Sequence, residues 1–241
     1  MKISIVVPAF NEEKMLGQSL PAIKTSAAAL EERGWEWELI VCDNNSTDRT
    51  GELACSLGAS IVFEPVNQIS RARNAGASAA IGDWLIFIDA DSFPHPALFS
   101  EVAKRIESGR CAGGGCLVRL DERGFPLGIG LHLWNFLSRL NRWAAGSFIF
   151  CKTVFFRELG GFSERVYASE ELDFSKRLKA LARKRGLSVE IITTERQLTS
   201  ARKLHLYSAA EQLRFFFRVL ASPRRVLQDR EKCILWYDGR R

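Results

Sequence analysis

Apolar and polar positions alternate in two registers along the first hundred residues. Short apolar runs at Ile3–Val7, Glu38–Cys42, Ser60–Phe63 and Trp84–Ile88 are rich in Ile, Val, Leu and Phe and predict strands. Between them, apolar residues recur at helical spacing over roughly 12–32, 47–57, 68–80 and 95–108, which predicts helices. Strand–helix alternation of this kind gives an α/β fold with right-handed βαβ units and a mostly parallel central sheet. Ligands bind such a sheet beyond the carboxyl ends of its strands. Three polar clusters occupy those positions: Pro8-Ala9-Phe10-Asn11-Glu12, Asp43-Asn44-Asn45-Ser46-Thr47-Asp48 and Asp89-Ala90-Asp91. The pattern therefore gathers all three on one sheet edge.

The second half is less regular. Gly113-Gly114-Gly115 precede a predicted strand at Cys116–Leu120, and Trp134–Trp143 carries helical spacing. A strand is predicted at Ser147–Lys152, then a short helix to Leu159 and a turn at Gly160-Gly161. A helix over Glu170–Lys184, a strand at Ser188–Thr193 and a helix over Ala209–Leu220 follow. No internal repeat or linker interrupts the chain, so a single domain over 1–241 is expected.

Composition adds bounds. Hydrophobic residues make up 46% and charged residues 26%, a balance that sustains a packed core and excludes a disordered chain. The apolar run at Ile3–Val7 is too short for a secretory signal, and no stretch reaches the roughly 20 apolar residues of a membrane span. The six cysteines show no CxxC pair and no zinc-site spacing. A reducing, cytoplasmic setting is expected. Residues 201–241 hold ten Lys/Arg against four Asp/Glu, which accounts for the whole net charge of +6. A basic tail of this kind suits an anionic partner such as a membrane surface, at which the protein would sit peripherally, or a phosphorylated substrate. Leu213, Phe216, Phe217 and Leu220 share one helical face there, beside Arg214 and Arg218. No nucleic-acid partner is expected.

The clusters carry chemistry. Asp89 and Asp91 end an apolar strand and share a side of extended backbone. Two carboxylates so placed repel each other, and a hard divalent cation relieves the repulsion. Mg²⁺ or Mn²⁺ typically takes one or two protein carboxylates together with substrate phosphate oxygens. Asp43 ends the second strand, where a carboxylate can accept from a nucleobase N–H or a ribose hydroxyl. Ser46 or Thr47 can cap the following helix.

Together with Ser70-Arg71-Ala72-Arg73-Asn74-Ala75-Gly76, these clusters resemble, in order and spacing, the motifs of family-2 glycosyltransferases of the GT-A fold. Gly160-Gly161-Phe162 and Ser169-Glu170-Glu171-Leu172-Asp173-Phe174 extend the resemblance into the second half. It implies a three-layer nucleotide-diphospho-sugar transferase fold. A nucleotide-binding half would span 1–100, an acceptor and catalytic half 101–205, and a basic helical tail 206–241. The implied activity is inverting, metal-dependent transfer of a sugar from a nucleoside-diphosphate sugar to a glycan or lipid-linked acceptor hydroxyl. The implied site residues are Pro8, Ala9, Asn11 and Glu12 beside the nucleotide and Asp43 on the base. Arg73 would lie near the donor, Asp89 and Ala90 near the ribose, and Asp91 on the metal. The family's usual Glu-Asp at the helix start is here Glu170-Glu171, which makes Glu171 the expected general base and Glu170 its alternative. His205 would be a second metal ligand and Arg202 a diphosphate contact. Two other readings stay open. A nucleotidyltransferase of related fold would carry a Gly-rich phosphate loop after the first strand, and a non-catalytic binding module would lack one of the acids.

Overall fold

The protein is described by a computed structural model over residues 1–122, 127–208, 211, 214, 218, 222–233 and 237. The first half runs β1 (Lys2–Ala9), α1 (Glu13–Glu31), β2 (Glu36–Asp43), α2 (Thr50–Ser56), β3 (Ser60–Phe63), α3 (Ile69–Ala79) and β4 (Trp84–Ile88). A two-residue strand β5 (Ser92–Phe93) and α4 (Pro96–Glu107) complete it. The second half runs β6 (Cys111–Leu120), α5 (Leu127–Asn141), β7 (Phe148–Lys152), α6 (Thr153–Glu158), α7 (Glu170–Lys184) and β8 (Ser188–Thr199). Two short helices follow, α8 (Arg202–His205) and α9 (Pro223–Leu227). The predicted helix Ala209–Leu220 falls largely outside the described residues, and its Leu213, Phe216, Phe217 and Leu220 are all outside them.

One eight-stranded sheet takes the order β3-β2-β1-β4-β7-β6-β8-β5. Strands β3, β2, β1 and β4 are parallel. Strand β7 lies antiparallel between β4 and β6, β8 runs parallel to β6, and β5 pairs antiparallel with β8. The central strands β1 and β4 are buried on both faces, which is why they read as continuous apolar runs rather than alternations. In β4, Trp84, Ile86 and Ile88 join the core that holds Leu16, Leu20, Phe99 and Val102 of α1 and α4. Leu85 and Phe87 point the other way, to Phe155, Phe156, Phe162, Phe174 and Leu178. Three layers result.

The structure departs from the sequence reading in five places. Helix α5 begins at Leu127 rather than at Trp134 and ends at Asn141. Helix α2 starts at Thr50, not 47, because Asp43 and Asp48 hold the preceding chain as a turn. The Asp43 carboxylate accepts from the Ser46 N–H at 2.9 Å, and Asp48 from the Thr50 N–H at 3.0 Å. Strand β6 begins at Cys111, so the three glycines lie inside it. They are required there by close approach. A Cβ on Gly114 would sit 1.8 Å from the Glu190 carbonyl oxygen, and one on Gly113 2.4 Å from that of Phe150. Strand β8 continues to Thr199 after an irregularity that moves its partner register from Ile192 opposite Cys116 to Arg196 opposite Leu117. Strand β5 is new, joined to β8 through Ser92 and Phe93.

Candidate active site

The ends of β2, β1 and β4 open onto one cavity of about 290 Å³. Adjacent strands lie about 4.8 Å apart, so this mouth spans roughly 10 Å from β2 to β4. Asn44 stands at the β2 side, Pro8, Ala9, Phe10 and Glu12 in the middle, and Asp89, Ala90 and Asp91 at the β4 side. Leu120 of β6, Ser147, Thr199, Ser200 and the remote Tyr237 complete the lining with Asn67, Ile69 and Ala72. Two buried polar atoms in this lining, Asn67 Nδ2 and Ser147 Oγ, have no hydrogen-bond partner among the described residues. Buried polar groups are nearly always hydrogen-bonded, so both fit a polar ligand.

The loops behind the strand ends are tied together by side chains. Asn11 adopts a left-handed backbone, φ 52°. Its amide oxygen accepts from the Thr47 N–H at 2.8 Å, and its own N–H donates to Ser46 Oγ at 3.0 Å. The Asn44 amide bridges the Gln68 N–H and the Val66 carbonyl. Glu12 is buried, and Arg202 donates to its Oε2 at 2.5 Å. That pair joins the start of α1 to the chain beyond β8.

Arg73 is the electrostatic centre of the region. Its side chain is 1% exposed and lies over the Phe162 ring at 5.3 Å. It donates to Asp89 Oδ1 at 2.9 Å, to the Gly146 carbonyl at 2.9 Å and to Glu170. One guanidinium therefore links α3, the end of β4, the entry to β7 and the start of α7. An arginine suits this place because its planar fork serves several acceptors at once. Glu171 lies alongside: a Cβ on Gly146 would meet its Cδ at 3.8 Å. Burial first, and then the Glu170 carboxylate beside it, pushes the Glu171 carboxyl up to about 8. Burial also raises Glu170, with the Arg73 charge opposing it.

The chain into α7 is shaped by α3. Gly160 and Gly161 both take left-handed φ, 70° and 71°, which turns Phe162 into the core. The Asn74 amide then holds Phe162 from both sides, accepting from its N–H at 2.9 Å and donating to its carbonyl at 3.0 Å. Gln68 donates to the Glu164 and Val166 carbonyls, and Arg71 pairs with Glu64 and Glu164. Ser169, φ 65°, makes the last turn before Glu170. Helix α3 thus reads the backbone of residues 162–166 and so sets where the α7 acids lie.

Of the predicted residues, Pro8, Ala9, Glu12, Asp89, Ala90 and Asp91 line the cavity. Asp43 instead closes its own turn onto Ser46, and the neighbouring Asn44 faces the cavity. Asn11 ties two loops rather than lining the cavity. Arg73 lies behind Asp89, as a buried tie instead of a surface for the donor. Arg202 reaches Glu12, and its Nε is a further buried donor without a partner among the described residues. His205 pairs with Glu122 rather than with a residue of the cavity lining. It is exposed at α8, with Nε2 2.7 Å from Glu122 Oε2. Among the described residues no three His, Cys, Asp or Glu side chains gather into a metal cluster. Asp89 and Asp91 still fit Mg²⁺ or Mn²⁺ as one or two carboxylates completed by phosphate oxygens of a ligand, the usual mode for these ions. Asn67, Ser147 and Tyr237 were not expected. The first two carry no motif, and Tyr237 lies in sequence far from everything it lines.

A sequence model described as Glycosyl transferase family 2 matches residues 4–158. The dolichol-phosphate mannosyltransferase of Pyrococcus furiosus is 29% identical over 117 residues, 45% of this chain and 31% of that protein. A dolichyl-phosphate beta-glucosyltransferase of Trichomonas vaginalis is 29% identical over 143 residues, 54% of this chain and 39% of that one. The chain thus spans only 31% and 39% of the length of these relatives. Among solved structures, S. aureus TarS 1-349 superposes with a TM-score of 0.62 at 17% identity, over 98% of this chain and 69% of that one. Glucosyl-3-phosphoglycerate synthase from Mycobacterium tuberculosis, solved with Mn²⁺, uridine diphosphate and phosphoglyceric acid, gives 0.62 at 20% identity, over 95% and 80%. At these identities the two structures establish the shared fold.

Proposed function

Because this chain belongs to glycosyl transferase family 2, we propose that its cavity holds a nucleoside-diphosphate sugar and that the α7 acids promote inverting transfer of the sugar to an acceptor hydroxyl. The observation that carries the reading is the joint placement of three strand ends and two orphaned polar atoms around one cavity. The mouth of roughly 10 Å from Asn44 to Asp91 suits a nucleoside with its diphosphate laid across β2, β1 and β4. On this reading Asn44, Asn67, Pro8 and Phe10 face the base and ribose. Asp43 acts through the turn that presents Asn44, and Glu12 with Arg202 lies beside the diphosphate.

Asp91, with Asp89, would hold Mg²⁺ or Mn²⁺. The ion supplies Lewis-acid stabilisation of the leaving diphosphate when bound. Arg73 fixes Asp89 and Glu170, so the acid end of the site keeps its shape as charge develops. Glu171 takes the proton of the acceptor hydroxyl as that oxygen attacks the anomeric carbon. A carboxyl raised by burial is a stronger base than an ordinary one, which suits the task. Glu170, locked to Arg73, is the weaker candidate because its charge is already engaged. Nucleotidyl transfer is disfavoured by the family assignment and by the Pro8-Ala9-Phe10 turn, which is not a Gly-rich phosphate loop.

The acceptor on this reading is a glycan or lipid-linked hydroxyl, and relatives named for dolichol phosphate favour the lipid. Among the described residues no helix is long and apolar enough to cross a membrane. Contact of the basic tail with an anionic membrane surface in the cytoplasm belongs to the same proposal.

Calorimetry against a panel of nucleoside diphosphates, with and without Mn²⁺, tests the donor reading. One base should bind best and Mn²⁺ should tighten it. Asp91→Ala should lose the metal effect while remaining folded. Equal affinity with and without Mn²⁺ in the parent would remove the metal from the reading, and no binding of any nucleotide would remove the donor.

A further inference from the structure

Helix α5 half-buries Leu131, Trp134 and Leu137, yet it turns two polar residues inward and leaves an apolar stripe outside. Asn135 and Ser138 face the protein. The Asn135 amide accepts from the Val118 N–H at 3.0 Å and donates to the Val118 carbonyl at 2.9 Å, in the manner of a neighbouring strand. It does so where β6 has run past β7, whose pairing with β6 ends at Gly115. Ser138 is buried and donates to the Trp143 carbonyl at 2.6 Å. The opposite face carries Leu133, Phe136 and Leu140, at spacings of three and four, which places them within one narrow stripe. They are 55%, 62% and 68% exposed. A surface helix normally shows the reverse arrangement.

The charge around this stripe is of one sign. Residues 123–157 contain five Lys or Arg and no Asp or Glu. Arg139 and Arg142 are exposed at the carboxyl end of α5. Helix α7 adds Lys179, whose ammonium donates to the Asn141 carbonyl at 3.1 Å, and Lys176, 5.4 Å over the Trp143 ring. An apolar stripe flanked by cations is the composition of a helix that lies in the interface of an anionic bilayer. The position in the fold agrees. The segment that carries α5 leaves the cavity at Leu120 and returns to it at Ser147, and both residues line it.

We propose that the exposed face of α5 docks on an anionic lipid bilayer, with Leu133, Phe136 and Leu140 entering the apolar boundary and the four cations meeting headgroups. The docked helix would bring the bilayer surface to the Leu120–Ser147 side of the cavity. This surface is distinct from the basic tail, and the proposal stands whether or not the donor reading holds.

The test is co-sedimentation of the full chain with vesicles of equal parts phosphatidylcholine and phosphatidylglycerol, against phosphatidylcholine alone, at low and high salt. The parent should bind the anionic vesicles, and more weakly at high salt, because exposed charges are screened. Phe136→Glu with Leu140→Glu should lower the partition by at least about tenfold, since two apolar side chains leave the interface. Arg139→Glu with Arg142→Glu should weaken the preference for phosphatidylglycerol, with the basic tail, Lys176 and Lys179 left to supply the remainder. Leu133→Ser, a milder change on the exposed stripe, covers the case in which the double glutamate variant does not fold. Nucleotide binding measured on each variant reports separately on the cavity. Absence of vesicle binding by the parent, or binding undiminished in all the α5 variants, would overturn the proposal. So would a dimer in sedimentation velocity that the same substitutions dissociate without any vesicle binding, for then the face belongs to a second copy.

Discussion

The two halves of the sheet achieve the same burial by different means. In the first half, β1 and β4 pack through side chains: Ile3, Ile5, Val7, Ile86 and Ile88 fill one face. In the second half, β6 packs through the absence of side chains, with Gly113, Gly114 and Gly115 admitting the backbones of β7 and β8. The functional groups divide likewise. The first half presents its polar residues from the strand ends in contiguous motifs. The second half presents Glu170 and Glu171 from a helix whose approach is dictated by Asn74, Gln68 and Arg71 of the first. The first half therefore encodes its site locally, and the second encodes it by contact with the first.

The sharpest break in that comparison lies at α7. Glu171→Gln should lower turnover by roughly 10²–10⁴ if Glu171 is the base, with nucleotide affinity by calorimetry unchanged. Glu170→Gln should cost much less at high pH, and its pH profile is the more telling readout. A base must be deprotonated, so kcat/KM of the parent should rise with pH through the raised value near 8. Glu170→Gln removes a negative neighbour and frees the Arg73 charge, and both effects lower the Glu171 pKa. The acidic limb should move to lower pH. A profile that does not move would place the base elsewhere.

Next in size is the tie between the halves. Arg73→Met leaves Glu170 and Asp89 without their shared cation, and breaking a buried pair by removing one partner costs about 3–5 kcal/mol. Urea unfolding should show a loss of that order. A loss under about 1 kcal/mol, the scale of a surface ion pair, would mean that Arg73 is not the buried link described.

How much was legible follows the same division. Strands β1 and β4 were read from apolar runs because burial on both faces leaves no alternation to misread. The motifs at Pro8, Asp43 and Asp89 fell on strand ends as the parallel topology requires. The glycines of β6 were read as a lead-in to a strand, since glycine ordinarily weakens strands and marks turns. Only the backbones of β7 and β8, remote in sequence, show why no side chain fits there. The later part of β8, with Glu195-Arg196-Gln197, carries too little apolar signal to be seen as a strand. Arg73 was placed near the donor on the strength of its motif. Its burial between Asp89 and Glu170 depends on residues 16 and 97 positions away.

A pair of glycine substitutions measures the contrast in packing. Gly17 lies inside α1 with open space where a Cβ would go. Gly17→Ala should stabilise the protein by about 0.5–1 kcal/mol through helix propensity. Gly114→Ala drives a Cβ into the Glu190 carbonyl and should cost about 1–3 kcal/mol or more. Opposite signs in thermal or urea unfolding are the expected outcome. Equal signs would remove the distinction between the two halves of the sheet.

The smallest effect concerns the end of the chain, which returns to the first half. Tyr237 lines the cavity, and its hydroxyl accepts from the Ile69 N–H at 3.2 Å in the first turn of α3. Its ring meets the edge of Tyr167 at a centroid distance of 5.6 Å and lies under Arg230 at 5.8 Å. Burial raises the phenol further above its ordinary value, so it stays neutral and keeps its hydrogen bond over the working pH range. Tyr237→Phe keeps the ring and removes only the acceptor of Ile69, a change of about 0.5–1.5 kcal/mol. Nucleotide affinity should fall by no more than about tenfold, with turnover at saturating donor unchanged, because the α7 acids are untouched. Tyr237→Ala also removes the wall and should weaken the nucleotide further. If calorimetry finds the parent affinity in both variants, the chain end merely covers the cavity. If Tyr237→Phe instead lowers turnover as much as affinity, the α3 turn that Tyr237 caps is transmitting its position through Arg73 to Glu170 and Glu171. The two halves would then be coupled through α3 more tightly than their packing alone requires.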